Sequence, residues 1–199
     1  IMIVSRSPPN VGNGTGQGRK GDNKRMEDPM SEANATDDND RDTQSTGTKV
    51  LLADDHASYR DMISQTLRKA HQDVTVIEAG NFAEALQIAT THDNPSLAIV
   101  DLIMLGMDGF GGIAELRDRL PEVPIVVVSA LSRPRYILQA YDHDADGFVP
   151  KTTNAMLLLG ALDVVLSGGV YVPPEALEAG DGGPLEATLR AAKMEIFDR

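Results

Sequence analysis

The stretch KVLLADDH, residues 49–56, runs a short apolar segment into two adjacent carboxylates, Asp54 and Asp55. Lys49 to Ala53 has the length and aliphatic content of a strand, and a strand covered on both faces reads as a near-continuous apolar run. Like charges placed side by side at the mouth of such a strand repel one another. Left alone, one of them would tend to stay protonated. The pair alone could simply cap the helix that follows, and the rest of the chain decides between that reading and a cation site.

The same kind of run recurs four more times. VTVIEA (74–79), SLAIVD (96–101), PIVVVSA (124–130) and DGFVP (146–150) all read as strands. Between them lie segments of helical period. Tyr59, Met62, Ile63 and Leu67 recur on one face, and Asn81 with Glu84 forms a capping pair ahead of Ala85, Leu86 and Ile88. GGIAELRDRL (111–120) and RPRYILQAYD (133–142) suit helices. NAMLLLGALDVVLSGG (154–169) suits a last one, stopped by Gly168 and Gly169. Strands alternating with helices predict an α/β fold: a doubly wound, five-stranded parallel sheet with five helices on its two faces. Such sheets take ligands at the carboxyl ends of their strands, where the strand order reverses.

Composition narrows the function. The chain has 199 residues, 41% of them hydrophobic, a net charge of −12 and no Cys. That is material for one good core with extra chain beside it. Thiolate catalysis, disulfides and Cys-ligated zinc are excluded. The acidic balance argues against this chain alone gripping nucleic acid. The opening IMIV is too short for a signal peptide, no run approaches a membrane span, and a cytoplasmic protein is expected. Residues 1–48 are polar and aperiodic and read as a disordered tail, basic at first and then acidic. Met26 and Met30, at the change of composition, are candidate natural starts. The folded domain is expected over 49–174, with a linker or truncated tail over 175–199.

In the strand order 2-1-3-4-5 of a flavodoxin-like sheet, the first and third strands are neighbours. Asp54, Asp55 and Asp101 then converge on one crevice. Mg²⁺, a hard cation that prefers oxygen ligands, would remove their conflict. Ser129 ends the fourth strand and Lys151 follows the fifth. A hydroxyl, an ammonium and a metal in one crevice suit the outer oxygens of a phosphoryl group, with an Asp oxygen attacking phosphorus to give an aspartyl phosphate.

With these residues the sequence resembles the receiver domain of two-component response regulators. The match rests on the acidic pair Asp54–Asp55, Asp101 in DLIMLGMDGFGGI, Ser129 with small Ala130 after it, Lys151, and Phe148 three residues before it. The resemblance implies that Asp101 accepts the phosphoryl group from a sensor histidine kinase. It implies Mg²⁺ held by Asp55, Asp101 and the backbone carbonyl of Ile103, with Asp54 acting through water. Ser129 and Lys151 would contact the phosphoryl group, and Phe148 would turn inward as a switch. The implied product is a signalling switch rather than an enzyme with a turnover substrate.

Two departures stand out. Leu105 occupies a position where the family often has Pro, and Pro150 precedes Lys151 where many members have Pro after it. FVPK with GGVYVPPE, and DDH followed by Arg60, look like receivers of LuxR-type transcription regulators. In those a helix-turn-helix output domain follows, and DNA contact would depend on such a domain, absent from this chain. The rival reading is a stand-alone receiver that relays phosphate or binds a protein target. An aspartyl-phosphate hydrolase is disfavoured, because its Asp-x-Asp spacing is missing after the first strand. DHDADG (142–147) reads as a polar turn, since Thr153 stands where a calcium loop needs Glu. His56 reads as helix-start packing. The apolar face of the last helix reads as core, with a part available to a homodimer.

Overall fold

The computed structural model describes residues 47–91 and 95–178. The tail expected over 1–48 lies almost wholly outside them, as do 179–199. Within them, β1 (Thr48–Ala53), β2 (Val74–Ala79), β3 (Leu97–Val100), β4 (Ile125–Ser129) and β5 (Gly147–Pro150) alternate with α1 (Ala57–Ala70), α2 (Phe82–Thr90), α3 (Gly111–Arg119), α4 (Pro134–Asp142) and α5 (Ala155–Leu166). The strands pair in parallel in the order β2-β1-β3-β4-β5, as the sequence predicts.

Side chains alternate across a strand, and here the alternation sorts the core into two halves. Val50 and Leu52, Leu97 and Ile99, Val126 and Val128, and Val149 pack with Ile63 and Leu67 of α1 and with Leu158, Leu162 and Val165 of α5. Leu51 and Ala53, Ala98 and Val100, Ile125 and Val127, and Phe148 belong to the other half, with Phe82, Ala85, Ile113, Leu116 and Ile137 of α2–α4. Both halves are buried, which is why the strands read as unbroken apolar runs. Each fully buried aliphatic side chain contributes roughly 1.5–3 kcal/mol.

Local chemistry sets the helix ends. Asn81 Oδ1 accepts from Glu84 N–H at 3.0 Å, and Glu84 Oε2 accepts from Gly80 N–H at 2.7 Å, so the expected capping pair forms with the reciprocal bond one residue early. Asn154 caps α5 in the same way through Leu157 N–H. Gly168, at φ 82°, ends α5 in the left-handed region that favours glycine.

The DHDADG turn carries more than the sequence suggests. Asp146, 5% exposed, accepts from Arg117 Nη2 at 2.6 Å and from Ile125 N–H at 2.9 Å. Arg117 also donates to the carbonyls of Val123 and Asp144. One buried ion pair thus ties the end of α3 to the starts of β4 and β5.

Beyond α5 the chain turns back along the outer edge of β5. Tyr171 forms a parallel bridge with Gly147 and its N–H donates to Asp146 O. Its carbonyl accepts from the Tyr141 hydroxyl at 2.6 Å. Gly147 has little room for a side chain, since a Cβ there would meet Val165 Cγ2 at 3.2 Å and Val126 Cγ2 at 3.4 Å. A 3₁₀ turn, Pro174–Glu178, then buries Ala176 to 1% exposure. Compact packing therefore continues past Pro174, because Ala176 adds to the α2–α4 half of the core.

Removing one member of a buried ion pair leaves the other charge uncompensated. Arg117→Ala is expected to lower the unfolding free energy by about 3 kcal/mol. Urea denaturation checks this, and a loss below about 1 kcal/mol would show that the pair is not a structural tie.

Candidate functional site

Strand parity explains which polar side chains meet. Asp54 extends the Val50–Leu52 row, Asp101 the Leu97–Ile99 row and Lys151 follows Val149, all on the α1/α5 side of the sheet. The register places Ala53 opposite Val100, so Asp54 and Asp101 leave neighbouring strand tips together. Asp101 N–H donates to Ala53 O at 2.9 Å and Lys151 N–H to Ser129 O at 2.9 Å, which carries the pairing one step past the strands.

At the centre, Lys151 Nζ lies 2.6 Å from Asp54 Oδ2 and 2.8 Å from Asp101 Oδ2. Both carboxylates are 2% exposed. Their remaining oxygens are satisfied by backbone: Asp54 Oδ1 accepts from His56 N–H at 2.8 Å and Asp101 Oδ1 from Ile103 N–H at 3.0 Å. Burial alone would lower the Lys151 pKa, but hydrogen bonds and charges from Asp101 and Asp54 outweigh it and raise the value above the ordinary 10.5. Among the carboxylates expected to converge, Asp55 is exposed and pairs with His56 Nδ1 at 2.8 Å. His56 stands at the N-cap of α1 with a side chain 66% exposed, turned to Asp55 and Asp54. The packing role expected of it is therefore not what the structure shows, since the ring is mostly exposed and its Nδ1 lies against the two adjacent acids.

The donor set fits a hard divalent cation. Ligand atoms from Asp54, Asp55, His56 and Asp101 all lie within 4.8 Å of one another. Three carboxylates gather here and Lys151 pairs with two of them, while Arg60 is engaged by Glu78 and by the Asp54 carbonyl. Lys151 can balance only part of that charge, and oxygen donors are what Mg²⁺ prefers.

Ser129 is fully buried and its hydroxyl accepts from Leu131 N–H at 3.3 Å, within its own loop. Parity puts it with Ile125 and Val127 on the α2–α4 side. Phe148 is on that side too, and fully buried. The ring fills the core alongside Val127 and Ile137.

The sequence reading assigned Tyr59 only to the apolar stripe of α1. The structure sets its ring 4.7 Å from Lys151 Nζ. Burial, then the charges of Asp54 and Asp101, push its phenol up to about 12. Helical spacing offered no signal for this contact, because a residue that begins a stripe reads as core.

A comparison with protein families matches residues 50–163 to the response regulator receiver domain. A curated relative, the glycerol metabolism activator of Pseudomonas putida, is 35% identical over 129 residues, 65% of this chain and 58% of the relative. The chain thus spans less than two thirds of that relative's length. Among solved structures, a LuxR family two-component response regulator from Aurantimonas sp. SI85-9A1 superposes with TM-score 0.61 at 21% identity, covering 67% of this chain and 94% of the other. The chemotaxis response regulator CheY4 of Vibrio cholerae gives TM-score 0.55 at 30% identity, over 60% and 99% respectively. No helix among the described residues is long and apolar enough to cross a membrane.

The pKa shifts of Lys151 and Tyr59 are both upward, so the folded protein holds these protons more tightly than the unfolded chain. Their stabilisation is complete below the ordinary values of 10.5 and 10.0 and is lost as pH rises through the raised ones. The urea midpoint is expected to be insensitive to these groups near neutrality and to fall above pH 10. Tyr59→Phe should flatten part of that fall, and phenolate absorbance should show Tyr59 titrating late together with Tyr141 and Tyr171, whose phenols burial also pushes up.

Proposed function

The chain belongs to the response regulator receiver domain family, and we propose that Asp101 is its phosphoacceptor, charged by a sensor histidine kinase in a reaction that needs Mg²⁺. The observation that carries the reading is the Lys151 ammonium held between Asp54 and Asp101 at 2.6 and 2.8 Å. It places a fixed positive charge beside the oxygen of a buried carboxylate, where a phosphoryl group would need one.

In the transfer, an Asp101 oxygen forms a bond to phosphorus as the phosphorus–nitrogen bond of the kinase phosphohistidine breaks. The released imidazole nitrogen takes a proton from solvent, and Asp101 becomes an acyl phosphate. Lys151 stays beside the site and pairs with a phosphoryl oxygen. The Ser129 hydroxyl, which accepts from Leu131 N–H, donates its own proton to another phosphoryl oxygen. Asp54, Asp55, Asp101 and the Ile103 carbonyl would hold Mg²⁺, which when bound neutralises charge on the incoming group. His56 lies close enough to Asp55 to shape the outer side of the site.

The domain is read as a switch, not as an enzyme with a turnover substrate. Donation from Ser129 to the phosphoryl group would shift the loop after β4, and with it α4 and the buried Phe148, between two states whose populations phosphorylation changes. Similarity to a metabolism activator and to a LuxR family regulator supports transcription control as the output, exerted through protein contacts, with a homodimer among them and DNA reached through an output domain. A cytoplasmic site of action follows from that role.

Incubation with acetyl phosphate and Mg²⁺ should add one phosphoryl group, seen by intact mass under mild conditions. Asp101→Asn or chelation of the metal should abolish the adduct. An adduct of equal yield on the Asn variant would remove Asp101 from this role.

A further inference from the structure

The ammonium of Lys151 has a third neighbour besides its two carboxylates. The Tyr59 ring centroid lies 4.7 Å away, inside the roughly 6 Å over which a ring face attracts a cation. Tyr59 comes from the first turn of α1, one turn ahead of the buried Ile63 and two ahead of Leu67. An aliphatic residue would complete that stripe as well. An aromatic one adds an attraction aimed at the lysine.

We propose that Tyr59 is a positioning residue that holds the Lys151 ammonium in place for the phosphoryl group. The proposal deepens the phosphoacceptor reading and rests on it. Each carboxylate partner of Lys151 changes during the proposed reaction. Asp101 gives up its negative charge to the acyl phosphate bond, and Asp54 faces a competing cation. The ring is indifferent to both events. Its attraction to the ammonium depends on the π quadrupole, not on the charge of Asp101 or Asp54. A phenol is neutral at physiological pH, so the side chain adds no fourth anion to the cluster. Lys151 itself is only 16% exposed on its side chain, so the ring faces a poorly hydrated ammonium, where such contacts are strongest.

The test separates contact from consequence. In the metal-free protein, the ε-methylene protons of Lys151 should show an upfield ring-current shift by NMR. Tyr59→Phe should keep the shift, and Tyr59→Leu should lose it. Beryllium fluoride binding in the presence of Mg²⁺ then reads positioning. Tyr59→Leu should weaken it about two- to fivefold while Tyr59→Phe remains near wild type. In a Lys151→Gln background, Tyr59→Leu should have no further effect, which a merely structural role would not produce. Should the Leu variant fold poorly, Tyr59→Met supplies apolar bulk without a ring and is read in its place. The inference is overturned if the ring-current shift survives in the Leu or Met variant. It is equally overturned if those variants bind beryllium fluoride like wild type, or if the loss persists without Lys151. Failure of the wild-type protein to bind beryllium fluoride or accept phosphate would instead sink the phosphoacceptor reading, and the NMR result would stand apart from it.

Discussion

A single ammonium shared by two buried carboxylates is the constraint around which this domain is arranged. Asp54 and Asp101 are each 2% exposed, and a carboxylate so far from water is tolerable only with a partner. Lys151 reaches both because β1 and β3 are neighbours and because the three residues share one parity across the sheet. The five-stranded order is therefore part of the site. A one-residue slip of register in β3 would send Asp101 to the other face and leave Lys151 with one partner.

The same ammonium has two kinds of work open to it. In the structure it neutralises the acidic cluster. Beside a phosphoryl group it would neutralise that group instead. The acidic cluster exceeds what one lysine can balance, which leaves room for a hard cation as well. Ser129 sits across the sheet plane from this triad by parity, with its hydroxyl tied to Leu131. A group bound at the strand tips would be felt on both faces of the sheet: by the lysine on one side, and by the serine, α4 and Phe148 on the other.

Much of this was legible in the sequence. Apolar runs alternating with helical periods fixed the fold class, and residues closing those runs marked the crevice. What escaped was anything set by tertiary contact between residues of ordinary type. Asp146 read as a turn residue, because nothing local reveals that Arg117 arrives from α3 to pair with it. His56 read as packing, yet its ring is drawn to the adjacent carboxylates. Tyr59 read as one more apolar rung on a helix, because periodicity reports which face a residue takes and not what comes to meet it.

The return of the chain along β5 has a practical corollary for the limits of the folding unit. The family match stops at residue 163, inside α5. A protein trimmed there would lose the end of α5, Tyr171 and Ala176, and with them the cover over the outermost strand. Unpaired backbone along a bare edge invites pairing with other chains. The cover that Tyr171 and Ala176 give thus lies beyond the family boundary, and a fragment cut at that boundary would bare the β5 edge to pairing with other chains.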